Sequence, residues 1–145
     1  MSCDQHNDEL NQLLINLSRR LLQYVGETCP WTDRPEVEST IEELVASQKA
    51  DIAKLVHLLL DRNWIVDFGT YPTNYTDLHF VAFDYLLNEI VEGEAQTVAD
   101  LEATIKSQAD DPIVVLLLEE ILTNQKQVVE RLEGCTRTEK ASQKA

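Results

Sequence analysis

The segments ELVASQKADIAKLVHLL (residues 43–59) and LLLEEILTNQKQVVERLE (residues 116–133) decide the fold of this chain. In both, apolar residues recur at intervals of three and four, which is typical of a helix that buries one face. A glutamine lies on the apolar face near the middle of each segment, Gln48 in the first and Gln125 in the second. The two segments therefore predict amphipathic helices that bring polar side chains into a core.

Composition and length indicate one globular domain without strands. The chain has 145 residues, of which 43% are hydrophobic and 26% charged, as in ordinary globular proteins. Four glycines and four prolines leave long uninterrupted stretches that favour helix. We expect a domain over residues 8–133, preceded by a polar lead (1–7) and followed by a disordered tail (134–145) that begins where Gly134 ends the last helix.

The lengths of the connections predict the topology. The periodic stretches predict helices at about 8–27, 35–63, 76–107 and 112–132. The first and last connections are only a few residues long, so each joins an antiparallel pair. The middle connection has about a dozen residues and can return along the whole bundle, at roughly 3.3–3.6 Å per residue. These lengths predict an all-α four-helix bundle, up-down-down-up, with a long crossover between helices 2 and 3.

This arrangement resembles the ferritin-like superfamily, especially its bacterioferritin- and rubrerythrin-like members. The likeness is clearest in the rhythm of 116–133 and 43–59, with 14–24 and 86–105 as weaker counterparts. It extends over about residues 8–133. The resemblance implies a homodimer in which helices 1 and 2 form the contact.

The family's di-iron site needs a glutamate on helices 1 and 3 and Glu-x-x-His on helices 2 and 4. The positions that correspond here are Leu17 on helix 1, Gln48 and Asp51 on helix 2, Glu94 on helix 3, and Gln125 and Val128 on helix 4. Amides bind iron poorly, and leucine and valine do not bind it at all. We therefore expect no metal, no cofactor and no enzymatic activity, although the fold is retained.

The polar side chains at these positions need partners in a core. The amides of Gln48 and Gln125 can donate to Asp51 and Glu94, so a hydrogen-bonded cluster replaces the metal, with Arg20 as counter-charge. The alternative is that both carboxylates lie at the edge of the apolar stripe and meet water.

Charge limits the partners of the chain. Its formal net charge of −14 disfavours nucleic acid and anionic membranes, because both would repel it. No apolar run approaches the roughly 20 residues that span a bilayer, and the start of the chain lacks the pattern of a signal peptide. We expect a cytoplasmic protein, in which Cys3, Cys29 and Cys135 are free thiols.

Histidines and aromatic residues are assigned structural roles. His6, His57 and His79 are scattered, and we expect them at the surface or at helix ends. Aromatic residues crowd the crossover and its flanks: Trp64, Phe68, Tyr71, Tyr75, Phe80, Phe83 and Tyr85. We expect these rings to pin the crossover to the bundle, the alternative being a surface that binds a partner.

The function that follows is a non-catalytic binding or scaffold protein of ferritin-like form that acts as a homodimer. One alternative is a metal-binding protein with an unusual site at Asp51 and Glu94. Another is a small-ligand binder whose pocket lies at the bundle centre between Leu17, Val128 and the two glutamines.

Overall fold

The computed structural model describes residues 3–28, 34–78 and 83–144. Within these ranges the protein is all-α and has no strand, which confirms the predicted class. The α-helices are α1 (Cys3–Ser18), α2 (Leu21–Thr28), α3 (Pro35–Asp61), α4 (Phe83–Ser107) and α5 (Pro112–Lys144), with a short 3-10 helix at Thr73–Leu78. None of the described helices has the length and hydropathy of a membrane-spanning segment.

The prediction of the first helix is wrong in two respects. It begins at Cys3 rather than at Asp8, so most of the expected polar lead is helical. It is also broken, because α1 ends at Ser18 and α2 begins at Leu21. The hydroxyl of Ser18 donates to the carbonyl of Leu14 at 2.8 Å, a local bond that bends helices.

Contacts between helices show that α1 and α4 are antiparallel. Ser107, at the end of α4, donates to Glu9 near the start of α1 at 2.8 Å. Asn16, near the end of α1, donates to Asp100 at 3.2 Å, and Asp100 lies seven residues before Ser107 in α4. The chains of α1 and α4 therefore run in opposite directions.

Contacts at both ends of the pair show that α3 and α5 are also antiparallel. Arg131 late in α5 pairs with Glu43 early in α3 at 2.7 Å. At the other end of the pair, Arg62 directly after α3 pairs with Asp111 directly before α5 at 2.6 Å. The contact of Arg62 with Asn7 of α1 places the start of α1 at this same end of the molecule.

The connection between α3 and α4 runs along the first two helices. Asn11 makes two hydrogen bonds of 2.9 Å with the backbone of Asp67. Gly69 lies so close to Ile15 that a Cβ would come within 2.9 Å of its Cγ2 atom, and its φ of +65° also favours glycine. Further on, Tyr71 and Tyr75 pack against Tyr24 of α2, with ring centroids 5.1 and 5.3 Å away. These contacts agree with the interpretation that aromatic rings pin the crossover for Tyr71 and Tyr75, whereas Phe68 is exposed. Phe80 and the side chains of Phe83 and Tyr85 lie outside the described residues.

The buried apolar residues form two clusters that lie at different levels of the bundle. The first cluster contains Leu21, Leu22, Tyr24 and Val25 of α2 with Leu44, Leu87, Ile90, Val128 and Leu132, among others. The second contains Leu10, Leu13, Leu14 and Leu17 of α1 with Leu55, Leu59, Leu101, Leu118 and Ile121, among others. Along α3, α4 and α5 the residues between the two clusters include buried polar ones, which form a polar layer across the core.

The boundaries of α4 and α5 also differ from the prediction. The α4 helix begins at Phe83, and the residues near Thr76, where we expected its start, are in the 3-10 helix. The α5 helix does not stop at Gly134 but continues to Lys144, through the segment expected to be a disordered tail. Cys135 is buried in the first cluster, one turn after Leu132, and this packing offsets the roughly 1 kcal/mol that an internal glycine costs a helix.

Candidate functional site

The polar layer is organised around the carboxylate of Glu94. The amide nitrogen of Gln48 donates to Glu94 Oε1 and, at 3.0 Å, to Gln125 Oε1. The amide nitrogen of Gln125 donates to Glu94 Oε1 at 3.2 Å and to the backbone carbonyl of Glu94 at 3.1 Å. All three residues are only 1% exposed. The structure therefore joins three of the residues selected from sequence, and they link α3, α4 and α5.

A fourth member of this network, Gln23, was missed by sequence reasoning. Its amide nitrogen donates to Gln48 Oε1 at 2.9 Å and to the carbonyl of Val45 at 3.3 Å. In one continuous helix Gln23 lies off the apolar stripe, whereas the break after Ser18 resets the register of α2 and turns Gln23 inward. We call Gln23, Gln48, Glu94 and Gln125 the amide–carboxylate network.

Asp51 does not belong to the network, so the expectation that a glutamine amide donates to it is wrong. It accepts a hydrogen bond from Asn124, which sequence reasoning also missed, and its second oxygen lies 3.8 Å from Lys54. Asn124 in turn accepts from Ser47 at 3.1 Å. The alternative that both carboxylates meet water is also wrong, because Asp51 is 4% exposed and Glu94 1%.

Burial raises the pKa of Glu94, and hydrogen bonds from the two glutamines and the charge of Arg20 oppose that rise. Arg20 lies in the break between α1 and α2, and its ion pair is with Asp100 at 2.6 Å rather than with Glu94. Arg20 therefore acts as a counter-charge to Glu94 through its electric field and does not form an ion pair with it. Burial likewise raises the pKa of Asp51, against the hydrogen bond from Asn124.

The residues present do not fit a di-iron centre. Leu17 and Val128 are each 1% exposed and belong to the apolar clusters on either side of the polar layer. Glu94, the one carboxylate among the positions of the polar layer that correspond to iron ligands apart from Asp51, already accepts two amide N–H groups at Oε1. Across the described parts of the chain, no three His, Cys, Asp or Glu side chains are grouped so as to hold a metal ion.

The remaining candidates lie away from this layer. His6 is 8% exposed, near the start of α1, with Nε2 3.9 Å from Asp110, so it lies at a helix end rather than at the surface; His57 is exposed, as expected. Cys135 is a free, buried thiol, and burial raises its pKa. His79, Cys29 and the side chain of Cys3 lie outside the described residues.

A surface groove of about 360 Å³ lies between α1 and α4. Asn16, Asp100 and Thr104 contribute to its walls, and Leu13 and Ala103 are its apolar residues. None of the residues proposed to line a pocket at the bundle centre borders this groove, so it does not support that alternative.

No family model, curated protein or solved structure matches the chain.

The raised pKa of Glu94 leads to a prediction of how the stability of the fold depends on pH. A carboxyl group whose pKa is higher in the folded than in the unfolded chain destabilises the fold when it is ionised; the cost is complete above the folded-state pKa, decreases as the pH falls below it, and vanishes below the unfolded-state pKa. Removing the charge with Glu94→Gln should therefore stabilise the protein at pH 8, and the advantage over wild type should shrink towards pH 5. The change should not exceed about 1.4 kcal/mol per pH unit, the limit for one proton.

The measurement is the free energy of unfolding by urea across this pH range. Glu92→Gln is the matched control, because it removes the same charge from an exposed position on α4. Parallel pH profiles for wild type and Glu94→Gln would contradict the assignment.

Proposed function

We propose that this protein is a ferritin-like four-helix bundle with up-down-down-up topology, in which α1 and α2 together form the first helix. Three observations support the proposal. The α1 helix is antiparallel to α4, α3 is antiparallel to α5, and the connection from α3 to α4 runs along α1 and α2. A single long connection between the second and third helices is typical of ferritin-like bundles and supports the proposal.

Its function, in this proposal, is that of a non-catalytic binding or scaffold protein of the cytoplasm. The observation that carries the proposal is the amide–carboxylate network, which lies in the middle of the bundle where a di-iron protein coordinates metal. The glutamine amides satisfy Glu94 with hydrogen bonds, and a satisfied buried network holds the helices in one register. In this proposal the polar layer of the core fixes how the helices are arranged, and a partner binds at the surface.

Iron loading tests this proposal. Purified protein should hold well below one iron per chain after aerobic incubation with Fe(II), and Glu94→Gln should hold the same amount. Elemental analysis after desalting gives the ratio. Iron near two per chain that is lost in Glu94→Gln would overturn the proposal.

The homodimer is a further part of the proposal and rests on the resemblance. Among the described side chains of α1, α2 and α3, Leu60 is the one large apolar residue that is exposed, at 53%, and it lies at the end of α3. The long faces of these helices therefore add no apolar patch in support of a dimer. The mass in solution, measured by sedimentation equilibrium, tests it directly.

A further inference from the structure

The α5 helix continues past the level at which α3 begins. Gln48 of α3 contacts Gln125 of α5 at 3.0 Å, and the two helices are antiparallel. Thirteen residues before Gln48 is Pro35, where α3 begins, and thirteen residues after Gln125 is Thr138. From Thr138 the α5 helix runs on for six more residues, which add roughly 9 Å beyond the start of α3.

We call residues 137–144 the α5 arm, and one face of this arm is basic. Arg137, Lys140 and Lys144 are spaced by three and four positions, so they fall on one face of the helix. The position of Glu139 falls on the other side. The arm has a net charge of +2, whereas the rest of the chain carries −16. The arm is therefore a basic element on an acidic protein.

The first turns of α3 present the complementary charge. Glu38 and Glu42 are exposed and lie four residues apart, so they share one face of this helix. Within the part of the chain that the structure describes, neither carboxylate forms an ion pair or a side-chain hydrogen bond. The spacing of these two glutamates equals that of Lys140 and Lys144, so two acidic and two basic positions match one to one.

Lys144 cannot reach the carboxylate of Glu42 in its own chain. By the same alignment of α3 with α5, Glu42 lies level with Arg131, whose neighbouring pair with Glu43 agrees with this register. Lys144 is thirteen residues further along α5, which is roughly 20 Å. Charges that far apart are largely screened, because the Debye length is about 8 Å at physiological ionic strength. The matching charges therefore meet only between two molecules.

We propose that the α5 arm docks on the first turns of α3 in a second copy of this chain. A two-fold axis across the bundle reverses the direction of the second copy, so the arm of one copy runs parallel to α3 of the other. Lys140 then lies beside Glu38 of the partner subunit, and Lys144 beside Glu42 of the partner subunit. The six residues of the arm beyond Thr138 have nearly the length of α3 that leads to these glutamates.

The symmetry makes the contact reciprocal, because each copy gives one arm and receives one. Complementary charge selects this pairing over other contacts between two acidic molecules. The inference rests on the proposed homodimer and names its surface, which lies on the α5 arm and the start of α3.

Charge reversal tests the proposal, with sedimentation equilibrium as the readout. Wild type should be a dimer whose dissociation constant rises with salt. Lys140→Glu/Lys144→Glu should weaken the dimer at least about tenfold, a loss of about 1.4 kcal/mol. Glu38→Lys/Glu42→Lys should weaken it as much, although this variant makes the chain less acidic. The combination of all four substitutions should restore the dimer, because each pair regains opposite charges.

Lys106→Glu/Lys126→Glu is the matched control, because it reverses two exposed lysines outside the arm and changes the net charge equally. It should leave the dimer intact, and thermal melts of all variants should match wild type. A monomeric wild type overturns both this inference and the proposed homodimer. A dimer that persists in both charge-reversal variants, or one that the four combined substitutions fail to restore, overturns the arm contact and leaves the homodimer standing. None of these readouts depends on iron, so they are independent of the test of the metal site.

Discussion

Replacing Gln48 by leucine is expected to lower the free energy of unfolding by about 3–5 kcal/mol. Leucine is similar in size, so the loss comes from hydrogen bonds rather than from a cavity. Gln48 donates to Glu94 and Gln125 and accepts from Gln23. Its removal leaves a buried carboxylate with one fewer donor, leaves Gln125 Oε1 without the N–H of Gln48, and takes one of two acceptors from the amide of Gln23.

Urea unfolding measures this effect. Gln127→Leu makes the same chemical change at an exposed position of α5 and should alter stability by no more than about 0.5 kcal/mol. The double variant Gln48→Leu/Glu94→Leu should be more stable than Gln48→Leu alone, because it also removes the carboxylate that had lost its donor. A double variant whose loss equals the sum of the two single losses would show that Gln48 and Glu94 are not coupled.

Replacing Tyr24 by alanine is expected to cost about 3–5 kcal/mol, as for other buried aromatic residues. Tyr24 is 8% exposed, and its ring contacts both Tyr71 and Tyr75 of the crossover. Alanine therefore opens a cavity in the first core cluster and removes the surface on which the crossover packs. The residues from Trp64 to Tyr75 should lose protection more than the helices do.

Hydrogen exchange followed by mass spectrometry reads the crossover and the helices separately. Tyr24→Phe retains the ring and should behave like wild type in the crossover. If Tyr24→Ala increases exchange evenly over α3, α4 and α5 without a larger increase in the crossover, the tyrosine contacts do not hold that segment.

Local sequence determined the helices wherever breakers lie next to a strong apolar period. The α3 helix was predicted at about 35–63 and occupies Pro35–Asp61, and the predicted end of α4 and start of α5 coincide with Ser107 and Pro112. Proline at the first position and the acidic turn before Pro112 act within a few residues, so a sequence pattern can reveal them. The positions of Gln48, Glu94 and Gln125 on buried faces followed from the same periodicity.

Only the tertiary structure decided how the polar side chains pair. The break between α1 and α2 turned Gln23 into the network and placed Arg20 against Asp100. Asp51, on the same helix face as Gln48, turned to Asn124 rather than to a glutamine. Periodicity reports which face of a helix is buried, but a hydrogen bond forms over about 3 Å, so its partner depends on where another helix, distant in sequence, places a donor.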